Sequence, residues 1–345
     1  MNTLLIWLGM AVGALALDIQ GVNFIGMPYT RISVGDVRSK LALESLKTTG
    51  ANWITLPITV YQDFKNSSLS YLGVHPFIMD SGTYETSHEK DILAIVQHAH
   101  QLGLKVMLQF HCLVNMPNWP DSREIGEYWA PFNAIKWFER YYEHIAFYTK
   151  ALESAGIDMI SLGHNFHALG YYEQQWRLLS EKVRNITKAP LIYSAAYGDE
   201  ERQTGFWDSL DYIGVFPKFK SATQELLQSE IKDFIRTLKY MNKMWKKPVI
   251  ITRVAVCTTS QDKLSQDLVF RTVYQAATEL DFVKGIIFGD WVADILYGSA
   301  NDVTYSVQKK QGEKTIRELF GGTYRQIDAP EGKVEYRLNC DCYLK

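Results

Sequence analysis

The chain has 345 residues, 47% of them hydrophobic and 21% charged, which is ample for a large core and excludes a wholly disordered chain. Lys and Arg number 36 against 38 Asp and Glu, a formal charge of −2, so the overall field disfavours a protein built to grip nucleic acid or an anionic membrane. The length is too great for one small domain and suits a single α/β barrel.

From the N-terminus, Leu4 to Leu15 is apolar and the run closes on Ala14-Leu15-Ala16, an A-x-A cleavage pattern. The run is shorter than the roughly 20 residues that cross a bilayer, so residues 1–16 are expected to be an export signal and the chain secreted. The sequons Asn66-Ser67-Ser68 and Asn185-Ile186-Thr187 fit that route, with Asn66 and Asn185 as glycan acceptors.

Next come short β-branched or apolar runs beginning near Val22, Trp53, Val106, Met159, Leu191, Tyr212, Val249 and Ile286, each followed by an amphipathic stretch. Eight strand-helix units without a Ser/Pro-rich linker predict one (β/α)8 TIM barrel over residues 17–325, followed by a Cys-bearing tail at 326–345. A doubly wound sheet would carry a Gly-rich phosphate turn after its first strand, and Gly21-Val22-Asn23-Phe24-Ile25-Gly26 does not fit one. Thr86-Ser87-His88-Glu89 reads as a capping box, with Ile92, Val96, Ala99 and Leu102 as the stripe it starts. A long aromatic helix is expected from Asn133 to Ala155, and further helices through Trp176, Leu179 and Val183 and through Ile231, Ile235, Leu238 and Met241. The long connections Tyr61 to Tyr84 and Leu113 to Phe132 follow strands, on the face where barrels build their sites.

Four cysteines, Cys112, Cys257, Cys340 and Cys342, are an even number for an oxidising compartment. A bridge inside Cys340-Asp341-Cys342 would close a strained ring, so these two are expected to bond elsewhere, to Cys112 and Cys257 or to a second chain in a homo-oligomer. Without CxxC or HExxH no metal site is expected, and His98, His100, His164 and His167 read as hydrogen-bonded side chains. No cofactor is expected.

Gly21-Val22-Asn23-Phe24, Ala42 to Trp53 and Gly103 to His111 resemble the barrel β-mannanases of glycoside hydrolase family 113 and their relatives. The resemblance continues through Trp137-Phe138 with Tyr141, Leu162-Gly163, Trp176-Arg177-Leu178-Leu179, Phe206 to Gly214 and Lys247-Pro248-Val249. It implies retaining hydrolysis of β-linked sugars by two carboxylic residues about 5 Å apart, an acid/base after the fourth strand and a nucleophile after the seventh. At those positions the chain reads Gly163-His164-Asn165 and Thr252-Arg253. An Asn amide delivers no acidic proton, and Arg stays cationic and is no nucleophile. The site is remodelled more widely: His111-Cys112-Leu113 and Phe216 stand where acids are usual, and the third-strand loop is thinned to Asn115 to Pro120, with Trp119 in it.

Asn23, His111, Trp119, Tyr197, Asp290 and Trp291 fall at or just beyond strand ends and, with Asn165 and Arg253, are the candidate ligand-binding residues. Tyr and Trp offer flat apolar faces suited to sugar rings. Asp290 is the best-placed remaining carboxylate and is expected to pair with Arg253, because an unpaired buried Arg is costly. The expectation is a secreted, catalytically inactive hydrolase-like protein that binds a glycan or an extracellular protein, with no nucleic-acid or membrane partner. The alternatives are a working glycosidase pairing Asp290 with Asp199, Glu173 or Asp121, and a structural protein of a secreted matrix.

Overall fold

A computed structural model describes residues 17–26, 33–62, 67–70, 72, 87–114, 131–219, 224–257 and 265–332. Residues 1–16, Asn66, Trp119, Asp121, Cys340 and Cys342 lie outside these. Eight parallel strands close into a barrel in sequence order: β1 (Ile19–Ile25), β2 (Trp53–Gln62), β3 (Lys105–Val114), β4 (Met159–His164), β5 (Leu191–Ala196), β6 (Tyr212–Phe216), β7 (Val249–Val254) and β8 (Val283–Val292). Helices α1 (Val37–Lys47), α2 (Glu89–Gln101), α3 (Ala134–Ala151), α4 (Glu173–Arg184), α5 (Glu200–Gln203), α6 (Gln224–Trp245), α7 (Gln266–Thr278) and α8 (Gln311–Leu319) follow them one for one.

Strands covered on both faces must be apolar nearly throughout, and these are. Their outward residues meet the helices in one continuous core, which includes the Trp137 and Tyr141 rings, stacked on each other, and Phe166 and Trp176 packed at an angle to them. Gly163 lets this layer close on β4, since a Cβ there would stand 2.7 Å from the Phe166 ring and 2.8 Å from that of Tyr193. A second cluster, Ile19, Trp53, Met107, Met159, Ile192, Ile250 and Ile287, plugs the barrel interior near the N-terminal ends of the strands. Side chains alternate with period two, so the next inward positions are Gln109 on β3, Ser161 on β4, Ser194 on β5 and Thr252 on β7. All four are buried. The interior therefore changes from apolar to polar toward the C-terminal face, and this polar layer is the floor of the mouth.

Strands β1 and β8 begin three residues before the expected Val22 and Ile286, extending toward the N-terminal face. Helix α2 starts at Glu89 with His88 as N-cap and no side-chain cap bond, so the capping box expected at Thr86 is not the start of the helix. Asn133 does cap α3, accepting from the Lys136 amide at 3.0 Å, but that helix ends at Ala151, four residues before Ala155. Past α8 the chain packs Gly322 against the main chain of Thr48 and Thr49, seats Ile327 on the core, and brings Gly332 to Leu296 in the loop after β8.

Candidate functional site

Among the described residues, those around the barrel mouth fall into three hydrogen-bonded groups. The first joins β7, β8 and β1, which are neighbours in the closed sheet. Arg253 donates to Asp290 from Nη2 to Oδ2 at 2.8 Å and from Nε to Oδ1 at 3.1 Å, and Asn23 Nδ2 donates to Oδ1 at 2.7 Å. Asp290 thus meets a bidentate guanidinium and an amide at once, as the desolvation of a nearly buried carboxylate requires. The pairing expected from the sequence is present.

The loop after β8 supports this group. Asp290 N donates to Tyr305 O at 3.0 Å, and Val307 N donates to Asp290 O at 2.9 Å. The Tyr305 ring lies 5.2 Å from the Arg253 guanidinium, a cation–π contact. Gln308 ties the same loop to β8, its side chain accepting from Val292 N at 2.7 Å and donating to Val292 O at 3.1 Å. Lys310 Nζ donates to Thr304 O at 2.7 Å, and burial pushes its pKa down to about 8 against the attraction of Asp302 and Asp290.

The second group crosses β3, β4, β5 and β7. His164 Nδ1 lies 3.0 Å from Ser194 Oγ and 3.5 Å from Gln109 Nε2, and Ser194 Oγ is 2.5 Å from Thr252 Oγ1. The His164 ring stacks on Phe216, with centroids 4.3 Å apart and planes at 25°. Beside it Asn165 is buried in the left-handed region, φ 58°, which Asn tolerates better than other non-glycine residues. Its backbone N–H donates to Ser194 O at 3.0 Å. The third group is a pair: β2 and β3 set Thr59 opposite His111, and Thr59 Oγ1 lies 2.7 Å from His111 Nε2.

The sheet is irregular near these residues. Register shifts fall between Val22 and Phe24 on β1, Ser161 and His164 on β4, and Ile251 and Val254 on β7. Such irregularities re-aim a side chain at a barrel rim, here Asn23, His164 and Arg253.

Asn23, His111, Asn165, Arg253 and Asp290 are therefore placed at the strand ends as expected. Two other candidates are not presented to the mouth. Tyr197 packs edge-on against Phe234 of α6 at 5.1 Å. Trp291, 1% exposed, pairs in register with Phe24 and belongs to the main core. Asp199 is exposed at the start of α5, and Glu173 faces Arg177 on α4 at 3.7 Å. Cys112 is a free, buried thiol whose pKa burial raises, which removes it from the disulfide candidates. His98, His100 and His167 have partners in Glu44, Asp158 and Gln203. Sequence reasoning missed Ser194, Thr252 and Tyr305 as parts of the site. The first two were open to it, lying two residues beyond interior Ile192 and Ile250.

The model of Glycoside Hydrolase Family 113 matches residues 30–310. The chain belongs to this family. A solved GH113 β-1,4-mannanase is 19% identical with a TM-score of 0.71, covering 89% of this chain and 99% of its own. The GH113 β-mannanase of Alicyclobacillus acidocaldarius is also 19% identical, with a TM-score of 0.70 over 89% of this chain and 98% of its own. The endo-1,4-β-D-mannanase of Thermotoga petrophila is 15% identical, with a TM-score of 0.59 over 88% and 99%. No curated protein matches by sequence. The match takes in the ends of β4 and β7, where Asn165 and Arg253 stand.

Proposed function

We propose that this chain is a secreted, non-hydrolytic member of family 113 that binds a glycan at the C-terminal face of its barrel. One observation carries the reading: the Asp290 carboxylate is held by Arg253 and Asn23, with the guanidinium standing where the family resemblance expects the nucleophile. Retaining hydrolysis needs one carboxylic acid to protonate the leaving oxygen and a second carboxylate to attack the anomeric carbon. Asn165 does neither, Arg253 does neither, and an Asp290 neutralised by Arg253 is a poor nucleophile. The polar floor of the mouth, with Gln109, Ser161, Ser194 and Thr252 in it, still suits hydroxyl-rich ligands. Because the similar solved proteins are named mannanases, β-1,4-linked mannose is the first class to test.

The test combines turnover and binding. Purified protein at high concentration is incubated with mannohexaose and the products are resolved, while calorimetry measures binding of the same sugar. Binding without cleavage supports the reading. Cleavage that disappears in Asp290→Asn overturns it in favour of a hydrolase using other carboxylates. Absence of binding to mannohexaose and across a glycan array shifts weight to a protein partner.

Export through residues 1–16 and glycosylation at Asn66 and at exposed Asn185 belong to the same proposal. So does a disulfide from Cys257 to Cys340 or Cys342, which the free, buried state of Cys112 favours. The remaining tail cysteine is then available to link two chains.

A further inference from the structure

Helix α6 carries Lys232, Arg236, Lys239 and Lys243 at i, i+4, i+7 and i+11, and Lys246 follows just past its end. At 3.6 residues per turn the four share a sector of about 60° and run about 16 Å along the outer wall of the barrel. All five are exposed. Arg236 pairs with Asp233 at 2.8 Å, whereas none of the four lysines makes an ion pair among the described residues. Successive members are like-charged neighbours, an arrangement that destabilises a helix unless something else neutralises it. On a chain of net charge −2 this is a local concentration of positive charge.

Beside the stripe, α6 and α7 leave a groove of 470 Å³ floored by Ile231, Ile235, Ala276 and Leu280, with Glu279 as its one acid. We infer that this wall binds a linear sulfated polysaccharide, its sulfates on the stripe and the less polar faces of its pyranose rings over the groove. Charge complementarity selects a polyanion, and a helical row of cations selects an extended one. Single-stranded nucleic acid is gripped by stacking bases on aromatic rings, and no aromatic side chain lines this groove. A sulfated polysaccharide also fits the extracellular location expected from the N-terminal segment. The site is separate from the mouth and does not depend on what the mouth binds.

The experiment compares two triple variants of the full chain with equal change in charge. Lys232→Gln/Lys239→Gln/Lys243→Gln removes the stripe; Lys90→Gln/Lys136→Gln/Lys188→Gln removes three exposed lysines elsewhere. All six side chains are exposed, and circular dichroism verifies folding. Titration with a heparin hexasaccharide is expected to show wild-type binding, a Kd at least tenfold higher for the stripe variant, and a change under twofold for the control. The slope of log Kd against log salt should fall by about two to three for the stripe variant alone. Equal losses in both variants overturn the inference by showing a general field effect. It is also overturned if the fully desulfated hexasaccharide or a duplex DNA of equal charge binds as tightly, or if wild type does not bind heparin.

Discussion

Arg253 and Asp290 meet through two parallel hydrogen bonds, Nη2 to Oδ2 at 2.8 Å and Nε to Oδ1 at 3.1 Å, bridging β7 and β8 at the barrel mouth. The Asp290 side chain is far less exposed than that of Arg253, so the carboxylate has little water to fall back on. Removing one partner leaves the other desolvated without compensation, whereas replacing both by apolar groups removes both penalties. Arg253→Met or Asp290→Leu alone should therefore cost about 2 kcal/mol, measured by urea unfolding. The double variant should recover part of that loss, the remainder being the Asn23 amide left without its acceptor. Additive losses would show that the two charges are not coupled.

Lys310 gives the fold a predictable alkaline response. Burial pushes its pKa down from the ordinary 10.5 to about 8, so between these values the unfolded chain holds a proton that the folded chain has released. Stability from this group therefore rises as pH increases from 8 to 10.5, by up to about 1.4 kcal/mol per unit. Wild type and Lys310→Met, unfolded in urea at several pH values in that window, should diverge with this sign. Parallel profiles would mean that Lys310 titrates normally.

Phe216 covers the His164 ring and is 2% exposed. Truncation to Ala removes a full aromatic side chain from a packed site and should destabilise by about 3–5 kcal/mol. The same change opens space over His164, so a solvent-exchange signature of its ring in NMR should appear in Phe216→Ala and not in wild type. Retained stability with a protected ring would show that neighbours collapse into the gap.

Thiol counting tests the cysteine assignment. Native protein treated with iodoacetamide should leave Cys112 unlabelled, because the thiol is buried and its pKa raised. In denaturant without reductant, a monomer should label at two sites, Cys112 and whichever of Cys340 and Cys342 does not bond Cys257. A covalent dimer should label once per chain and run at twice the mass until reduced. Labelling of Cys257 would refute the proposed bridge.

Much of the barrel was legible in the sequence because burial on two faces writes each strand as a dense apolar run. Trp53, Met159, Leu191, Tyr212 and Val249 are the first residues of their strands as expected, and Val106 lies one residue inside β3. The site was legible where chain order alone decides it, as for Asn23, Arg253 and Asp290. It was obscure where the sheet departs from regularity. Trp291 follows Asp290 directly, yet its register with Phe24 puts it into the core while Asp290 reaches Arg253. Tyr197 stands just past β5, yet its ring packs outward against Phe234 of α6. Tyr305 comes to Arg253 only because the loop after β8 folds back on Asp290, a path with no periodic signature.

The hydrogen bond from Asn23 to Asp290 joins residues 267 positions apart. The Asp290 group of the mouth therefore has no precursor in any fragment that lacks β8: during synthesis the chain is without this polar cluster until β8 has left the ribosome and paired with β1. Deleting the last strand, or reopening the circle between β8 and β1 by moving the termini, should strike recognition before it strikes helix content. Ligand capture by a nascent or permuted chain would then report ring closure itself, not the folding of any one segment.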